Sequence, residues 1–174
     1  MNPMQQVRIE KLTLNFGSGK DQTKLEKGMT IIKSLTGIDP KKTITRKRIA
    51  GWGLRPGLPV GCMLTLRKDK ATSMLKRLVK ARDNVLPESS FDDRGNIAFG
   101  IPEYIDIEGS TYDPKIGILG LEVAITLERP GYRVKRRAIK KAKIGKNHQI
   151  SAEEAMDFMK SKFNVTVGGE DDSQ

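Results

Sequence analysis

The residue types that most often carry catalysis are scarce in this chain. Its 174 residues include one histidine, His148, and one cysteine, Cys62. A nucleophile needs a neighbouring base, and the base needs a third group that orients it. His148 has no carboxylate downstream of it before Glu153, and Cys62 falls on the apolar side of an alternating segment, as an inert core thiol does. The sequence therefore predicts no catalytic residues and no enzyme.

Two short motifs are similar to ligand-binding loops, but their spacing does not fit. Gly17-Ser18-Gly19 lies between a predicted strand and a predicted helix, yet Gln22 stands where a dinucleotide loop has its third glycine. Asp92 and Asp93 precede Asn96 without the spacing of a calcium loop. A single cysteine excludes an internal disulfide and a cysteine-based zinc site. We expect ordinary turns at both motifs, with no metal and no cofactor.

Cationic side chains offer more chemistry. The chain has 32 Lys and Arg against 21 Asp and Glu, a formal net charge of +11 and a pI of about 9.8. Residues 41–55 and residues 129–148, the basic arm, contain many cations and no acid. Such clusters predict a polyanionic partner, above all a nucleic acid. Because the basic arm has nine Lys or Arg and no compensating acid, we expect phosphate to order it. The basic region 67–82 is equally consistent with a solvated helix face.

The pattern of apolar residues predicts an α+β fold. Strands are predicted where apolar and polar residues alternate: 7–16, 60–67, 97–101, 104–107 and 119–128. Helices are predicted where apolar residues recur every three or four positions: 22–35, 69–86 and 151–163. A β-bulge at Glu10–Lys11 would keep one face of the first strand apolar, Asp69 is a plausible N-cap, and Ser151 with Glu154 forms a capping box. Alternating strands indicate an antiparallel sheet with helices on one face and the other face open.

One domain accounts for this pattern. It is expected over residues 1–167, with a basic extension at 129–150 and the C-terminal helix at 151–163. The acidic tail, 168–174, is expected to be disordered. No stretch has the apolar core of a signal peptide or approaches a membrane span, which favours a cytoplasmic protein with no membrane partner.

The open face of the sheet should carry short hydrogen-bonding side chains and cations. By alternation it presents Arg8, Thr13, Asn15, Thr65 and Arg67, joined by Thr43, Thr45 and Lys47 if Ile44 points inward. This composition suits contacts with ribose and phosphate across a shallow RNA minor groove, whereas only 5% of residues are aromatic, too few for a base-stacking sheet. Trp52 is the one candidate for stacking, and a buried anchor of its loop is an equal alternative.

Five segments, in order, resemble one protein family: VRIEKLTLNFGSG, LTG-x-x-P, ITRKRIAGW-x-LRPG-x-PVGCMLTLR, SFDDRGNIAFGIPEYI and GLEVAITL. The family is that of the fifth universal protein of the large ribosomal subunit, and the resemblance covers about residues 4–128. PVGCMLTLR and SFDDRGN are its most specific segments. The start of the chain and the PGYRVKRR extension are similar to the archaeal or eukaryotic branch.

The resemblance implies a sheet whose convex side carries the helices and whose concave side docks on 5S rRNA. Asn15, Trp52 and Thr65 match family residues in that contact. One loop is implied to lie near the elbow of P-site tRNA: Arg55, Pro56, Gly57 and Leu58. Further implied partners are 23S rRNA and neighbouring ribosomal proteins, including a small-subunit protein across an intersubunit bridge.

Together, the residues and the resemblance predict two RNA-binding regions. The rRNA-binding site comprises Asn15, Thr43, Thr45, Arg46, Lys47, Arg48, Trp52, Thr65 and Arg67. The basic arm contributes Arg133, Lys135, Arg136, Arg137, Lys140, Lys141 and Lys143. A free RNA chaperone or regulator that binds mainly by charge is the alternative that the composition leaves open.

Overall fold

Strand and helix boundaries follow the alternation of apolar residues in most of the chain. A computed structural model describes residues 2–168. Its strands are β1 (Arg8–Gly17), β2 (Lys41–Ile44), β3 (Pro59–Leu66), β4 (Val85–Leu86), β5 (Asn96–Ile101), β6 (Leu121–Glu128) and β7 (Thr166–Val167). Its α-helices are α1 (Gln22–Thr36), α2 (Lys68–Lys80) and α3 (Ala152–Phe163). The strands predicted at 7–16, 60–67, 97–101 and 119–128 are confirmed, with small shifts at their ends.

Five strands form one antiparallel sheet in the order β2-β3-β1-β6-β5. β1 is therefore the central strand. The bulge predicted at Glu10–Lys11 is confirmed, because the register of β1 against β6 shifts between Ile9 and Lys11. A bulge adds one residue to one strand and so changes which side chains face the core beyond it. Leu12 and Phe16 are buried as a result.

Helices α1 and α2 pack on one face of this sheet, against β1 and β3. The Asp21 side chain caps α1 by accepting hydrogen bonds from the backbone amides of Thr23 and Lys24, at 2.9 and 3.2 Å. Gly28 lets α1 approach the sheet closely, because a β-carbon there would lie 2.2 Å from Cδ1 of Phe16. The predicted α+β architecture, with helices on one face of an antiparallel sheet, is confirmed.

The predicted boundaries of the second helix are wrong at both ends. Arg67, not Asp69, holds the cap position of α2, and Asp69 lies in the first turn. The helix ends at Lys80, short of its predicted end, and Asp83 and Asn84 then adopt left-handed φ angles of 54° and 58°. The apolar residues that follow belong to β4, which pairs in parallel with β7 near the end of the chain.

The short strand predicted at 104–107 is also wrong. Tyr104–Asp106 forms a single 3-10 turn, and its amides bond locally or to a loop rather than along a strand. Tyr104 and Ile107, at the start of this turn and just after it, are both buried, and their spacing of three positions fits a turn and not a strand. The Tyr104 hydroxyl accepts a hydrogen bond from the backbone amide of Asp113 at 3.2 Å, which pins the following loop to the core.

Helix α3 begins at a capping box, as predicted. The Ser151 hydroxyl accepts a hydrogen bond from the Glu154 amide at 3.3 Å, and the Glu154 carboxylate accepts one from the Ser151 amide at 3.2 Å. The buried side of α3, with Met159 at its centre, packs near β5 and β7. Of the predicted acidic tail, 168–174, only Gly168 lies within the described residues.

Candidate nucleic-acid interface

The helices leave the second face of the sheet uncovered. On this open face, Thr13 of β1 lies directly opposite Thr65 of β3 and Ala124 of β6. Thr65, Ala124 and the neighbouring Ala98 of β5 are exposed, and Thr13 is half-buried. Because these side chains are short, they project little above the backbone of the sheet. Threonine hydroxyls can both donate and accept hydrogen bonds. A surface of this kind can approach a wide, shallow RNA minor groove closely.

A side-chain hydrogen bond fixes Asn15 on the open face. Its Nδ2 atom donates to Oε2 of Glu122 on β6, over 2.7 Å. Asn15 and Glu122 are register partners in the β1–β6 pair, so the bond runs straight across the two strands. Sequence analysis missed Glu122. Alternation does place it on the same face as Ala124, but no local signal says that β6 rather than another strand lies beside β1.

Charge is distributed unevenly across the open face. The side of the sheet formed by β2, β3 and β1 carries Lys41 and Lys11. Just beyond the end of β3 lies Arg67, whose guanidinium is 4.0 Å from the Glu10 carboxylate. The side formed by β6 and β5 presents neutral or acidic residues: Asn96, Ala98, Gly100, Glu122, Ala124 and Thr126. A phosphate backbone is therefore attracted to the β2-β3-β1 side and not to the β6-β5 side.

The loop between β2 and β3 is ordered by its own backbone. The amide of Thr45 donates to the carbonyl of Leu58, and the amide of Gly57 donates to the carbonyl of Thr45, both over 2.9 Å. Nearer the tip, Ile49 and Leu54 form a β-bridge, and Leu54 is buried. The loop thus continues the β2–β3 ladder outward, and it holds its side chains in defined positions.

The cations of this loop are exposed, as the RNA-binding prediction requires: Arg46, Lys47, Arg48 and Arg55. None of them forms an ion pair with a carboxylate among residues 2–168. Trp52 lies in a 3-10 turn at the tip with 71% of its surface exposed, so the alternative of a buried anchor is wrong. An exposed indole beside unpaired cations can stack on a base while the cations neutralise phosphates.

The condition that would place Thr43, Thr45 and Lys47 together on the open face, an inward Ile44, is not met. The register of β2 against β3 shifts between Thr43 and Ile44, which turns Ile44 outward, with 60% of its surface exposed. Thr43 stays beside Gly61 on the open face and is half-buried. The Thr45 hydroxyl is buried without a hydrogen-bond partner among the described residues, so only a local movement could present it to a ligand.

Carboxylates from other elements tie the basic arm to the body of the protein. Arg136 forms ion pairs with Glu10 on β1 and with Glu128 on β6, the latter over 2.7 Å. Arg129, itself buried, reaches Glu154 on α3 at 2.6 Å. We expected phosphate to order this segment because it has no acids of its own, but compensating acids elsewhere in the chain can also order it.

The other predicted cations of the arm divide into two groups. The Lys135 ammonium lies 4.7 Å from the ring centre of Tyr132, in a cation–π contact. The remaining ones are exposed: Arg133, Arg137, Lys140, Lys141 and Lys143. In the described part of the chain no carboxylate lies within ion-pair distance of these five residues. They are available to an external anion, whereas Arg136 is already paired with two carboxylates.

Two family models match the chain, one for ribosomal protein L5 over residues 2–55 and one for the C-terminus of the same ribosomal protein family over residues 59–158. This chain belongs to the ribosomal protein L5 family. It is 47% identical to large ribosomal subunit protein uL5 of Sulfurisphaera tokodaii, over 96% of this chain and 95% of that protein. The uL5 proteins of Nanoarchaeum equitans and Sulfolobus acidocaldarius are 48% and 46% identical, each over 95% of this chain and over 98% and 93% of their own lengths. The predicted family and its archaeal or eukaryotic type are confirmed.

Membership in the L5 family also confirms that the chain is a ribosomal protein and not an enzyme. The single cysteine and the single histidine both lie in positions where they contribute to structure. Cys62 is buried, and burial raises the pKa of its thiol to about 11, so it is an unreactive core residue. His148 packs edge-on against Tyr132 and bonds through Nε2 to the Pro130 carbonyl at 2.9 Å.

The turn at residues 92–96 satisfies its acid locally. The Asp92 carboxylate accepts hydrogen bonds from the backbone amides of Arg94 and Asn96 and from the Asn96 side chain. Burial acts to raise the Asp92 pKa, but these hydrogen bonds outweigh it, and the pKa lies below its ordinary value.

Within residues 2–168 no cluster of three or more His, Cys, Asp or Glu could hold a metal ion, and no helix is long and apolar enough to cross a membrane.

Proposed function

We propose that this L5-family protein is a structural constituent of the large ribosomal subunit that binds 5S rRNA and attaches it to the central protuberance. Its further proposed partners are 23S rRNA, P-site tRNA and neighbouring ribosomal proteins, including a small-subunit protein at an intersubunit bridge. It would act on the ribosome in the cytoplasm. The observation that carries the proposal is the acid-free, exposed β2–β3 loop bordering an open sheet face of short hydroxyl side chains.

The open face supplies hydrogen bonds rather than charge. Thr13 and Thr65 face each other across β1 and β3, so one ribose 2′-hydroxyl can meet both side chains. The bond from Asn15 to Glu122 holds the Asn15 amide in one orientation and leaves its oxygen as an acceptor. Ala124, the register partner of Thr13 on β6, is too short to shield Thr13 from the RNA. Glu122 acts here through Asn15, as the residue that orients it.

The β2–β3 loop supplies charge and one aromatic ring. Arg46, Lys47 and Arg48 would neutralise phosphates next to the face, and Trp52 would stack on a base or wedge between two of them. The turn from Arg55 to Leu58 closes through a hydrogen bond from the Leu58 amide to the Arg55 carbonyl at 3.2 Å. This turn is the part of the loop proposed to approach the elbow of P-site tRNA.

The test is binding of the purified protein to 5S rRNA from about 50 to about 300 mM salt, with bulk tRNA as competitor. We expect binding that survives the competitor. Arg46→Ala and Arg48→Ala should each lower the slope of log affinity against log salt by about one unit. Lys160→Ala, an exposed cation on α3, is the matched control and should leave the slope unchanged. Binding that tRNA abolishes would favour a charge-only RNA binder, and unchanged slopes for both arginine variants would contradict the proposed site.

Neutral residues of the open face give an independent test. Asn15→Ala and Thr65→Val remove hydrogen bonds but no charge, so each should weaken 5S rRNA binding roughly five- to tenfold without changing the salt slope. Ser73→Ala removes an exposed hydroxyl on α2, outside the open face, and is the control. Equal affinities for the two face variants and the control would show that RNA binds elsewhere.

A further inference from the structure

The two ends of the basic arm are joined to each other. The Tyr132 hydroxyl donates to the His148 carbonyl at 2.9 Å, and the His148 ring bonds to the Pro130 carbonyl at the same distance. The Arg129 guanidinium donates to the Gln149 carbonyl at 3.3 Å. The arm is therefore a closed loop with a fixed base. Loops of this length whose only secondary structure is short 3-10 turns are uncommon in domains unless they have a function.

A cluster of two carboxylates and three guanidinium groups fastens the arm to the sheet beside the β1 bulge. Only 8% of the Glu10 side chain and 9% of the Glu128 side chain are exposed, and Arg136 bridges them. Arg8 donates to Glu128 as well, at 2.8 and 2.9 Å. The third guanidinium, that of Arg67, lies 4.0 Å from the Glu10 carboxylate, so three positive charges face two negative charges here. Because a buried carboxylate is costly without its partner, Arg136 is committed to this cluster and is not available to a phosphate.

The far part of the arm, beyond this cluster, is folded back on itself. The Ala142 amide donates to the Val134 carbonyl at 3.3 Å, and the Arg137 guanidinium donates to the Lys140 carbonyl at 2.7 Å. This part, called the arm tip, carries the exposed cations Arg137, Lys140, Lys141 and Lys143. Ile139 stands among them with 79% of its surface exposed. Nothing in the described part of the chain neutralises or covers this surface.

We propose that the basic arm is a preformed RNA-binding element, separate from the open face, and that Arg136 positions it. The inference rests on the proposed RNA-binding function and deepens it by dividing the arm into a fastening part and a contacting part. The ligand is the phosphate backbone of an RNA helix, because closely spaced unpaired cations gain most from a polyanion that releases counterions. A loop already folded before binding loses less conformational freedom than a disordered arm would.

Amide hydrogen exchange on the free protein tests whether the arm is preformed. We expect the Arg137 and Ala142 amides to exchange at least about tenfold more slowly than in an unstructured peptide. The double variant Glu10→Gln with Arg136→Gln keeps the net charge unchanged but removes the fastening, so this protection should be lost. Protection at the Leu14 amide of central strand β1 should persist, as the control that the variant still folds. Fast exchange in the unmodified arm would overturn the proposal.

Salt-dependent RNA binding tests the division of roles, with 5S rRNA and an RNA duplex of about 20 base pairs as probes. Replacing Lys140, Lys141 and Lys143 by alanine should lower the slope of log affinity against log salt by about three units, close to one for each cation. The Glu10→Gln, Arg136→Gln variant should bind several-fold more weakly with its slope unchanged, because the cations remain but must be ordered on binding. A slope lowered by about one unit in that variant would show that Arg136 contacts phosphate, and would overturn its positioning role.

The matched control replaces three exposed cations outside the arm: Lys76, Lys160 and Lys162. If the arm-tip variant behaves like this control on both probes while Arg46→Ala still lowers the slope, the arm proposal fails and the proposed function stands. If the protein does not select 5S rRNA but the arm tip still sets the slope on the duplex, the proposed function fails and the arm proposal stands.

Discussion

The β2–β3 loop and the basic arm are alike as sequences and differ in the folded protein. Both are acid-free and rich in Lys and Arg. No described carboxylate pairs with Arg46 or Arg48 in the loop, whereas Arg129 and Arg136 in the arm are held by glutamates from three other elements. The loop is ordered by its backbone, and the arm by ion pairs to other elements as well as by its own hydrogen bonds. A count of cations in a segment therefore overstates the charge available to a ligand when distant acids fold onto it.

The largest loss of stability is expected from a substitution where the basic arm meets α3. Glu154→Ala would leave the Arg129 guanidinium, only 8% exposed, without its carboxylate and would also break the capping box. We expect a loss of about 3 kcal/mol in the free energy of unfolding, measured by urea denaturation. Glu153→Ala, the exposed neighbour in the same helical turn, should change it by less than about 0.5 kcal/mol. Similar losses for the two variants would contradict a structural role for Arg129.

In the β2–β3 loop, the largest expected effect is a loss of RNA affinity, with the free energy of unfolding nearly unchanged. Trp52→Ala removes an exposed ring that contributes little to the folded protein, so the unfolding free energy should stay within about 0.5 kcal/mol. Affinity for 5S rRNA should fall by about 2 kcal/mol if the indole stacks on a base. Trp52→Phe should restore part of that affinity. A Trp52→Ala protein with full affinity but a lower denaturation midpoint would reverse the contrast between loop and arm.

Adjacent arginines within the arm allow a finer comparison. Arg136→Ala removes the bridge between Glu10 and Glu128 and should cost about 1.5 kcal/mol of unfolding free energy, a modest value because the Arg136 side chain is 41% exposed. Arg137→Ala removes one surface hydrogen bond to the Lys140 carbonyl and should cost less than about 0.5 kcal/mol. Urea denaturation of the two variants side by side measures this difference, and equal losses would contradict the fastening role of Arg136.

The smallest change in stability is expected from a substitution at the base of the β2–β3 loop. Thr45 buries a hydroxyl oxygen for which the described residues offer no partner. Thr45→Val keeps the shape and removes that oxygen, so the protein should become more stable by about 0.5 kcal/mol, with 5S rRNA binding unchanged. Thr65→Val, on the open face, should instead leave stability nearly unchanged and weaken binding. Weaker RNA binding by Thr45→Val would mean that the loop rearranges to present this hydroxyl.

Local patterns explain which parts of the fold could be predicted. Alternation in β1, the bulge after Ile9 and the capping box at Ser151 are each set by neighbouring residues, and each is confirmed. The end of α2 was missed because Asp83 and Asn84 leave the helix to let β4 pair with a strand near the end of the chain. Its apolar residues fit a helix equally well.

The candidate site likewise has features that local sequence patterns predict and features that they do not. The exposure of the loop cations and of Thr65 follows from composition and alternation, and the structure places them as expected. The direction of Ile44 depends on a bulge that no residue type announces. The pairing of Arg136 with Glu10 joins residues 126 positions apart, and a single sequence carries no signal for such a contact. Which of these residues touch RNA stays a prediction until binding is measured.

The central position of β1 has a consequence for how the chain folds. Its contact with β6 joins Arg8 to Glu128 across 120 positions, while its contact with β3 lies within the first 66 residues. Closing the longer loop costs more chain entropy, and proteins dominated by such distant contacts fold slowly. During synthesis from the N-terminus, β1, β2 and β3 can assemble well before β6 exists. The cationic side of the open face would then form first, with one edge of β1 unpaired until the rest of the sheet arrives.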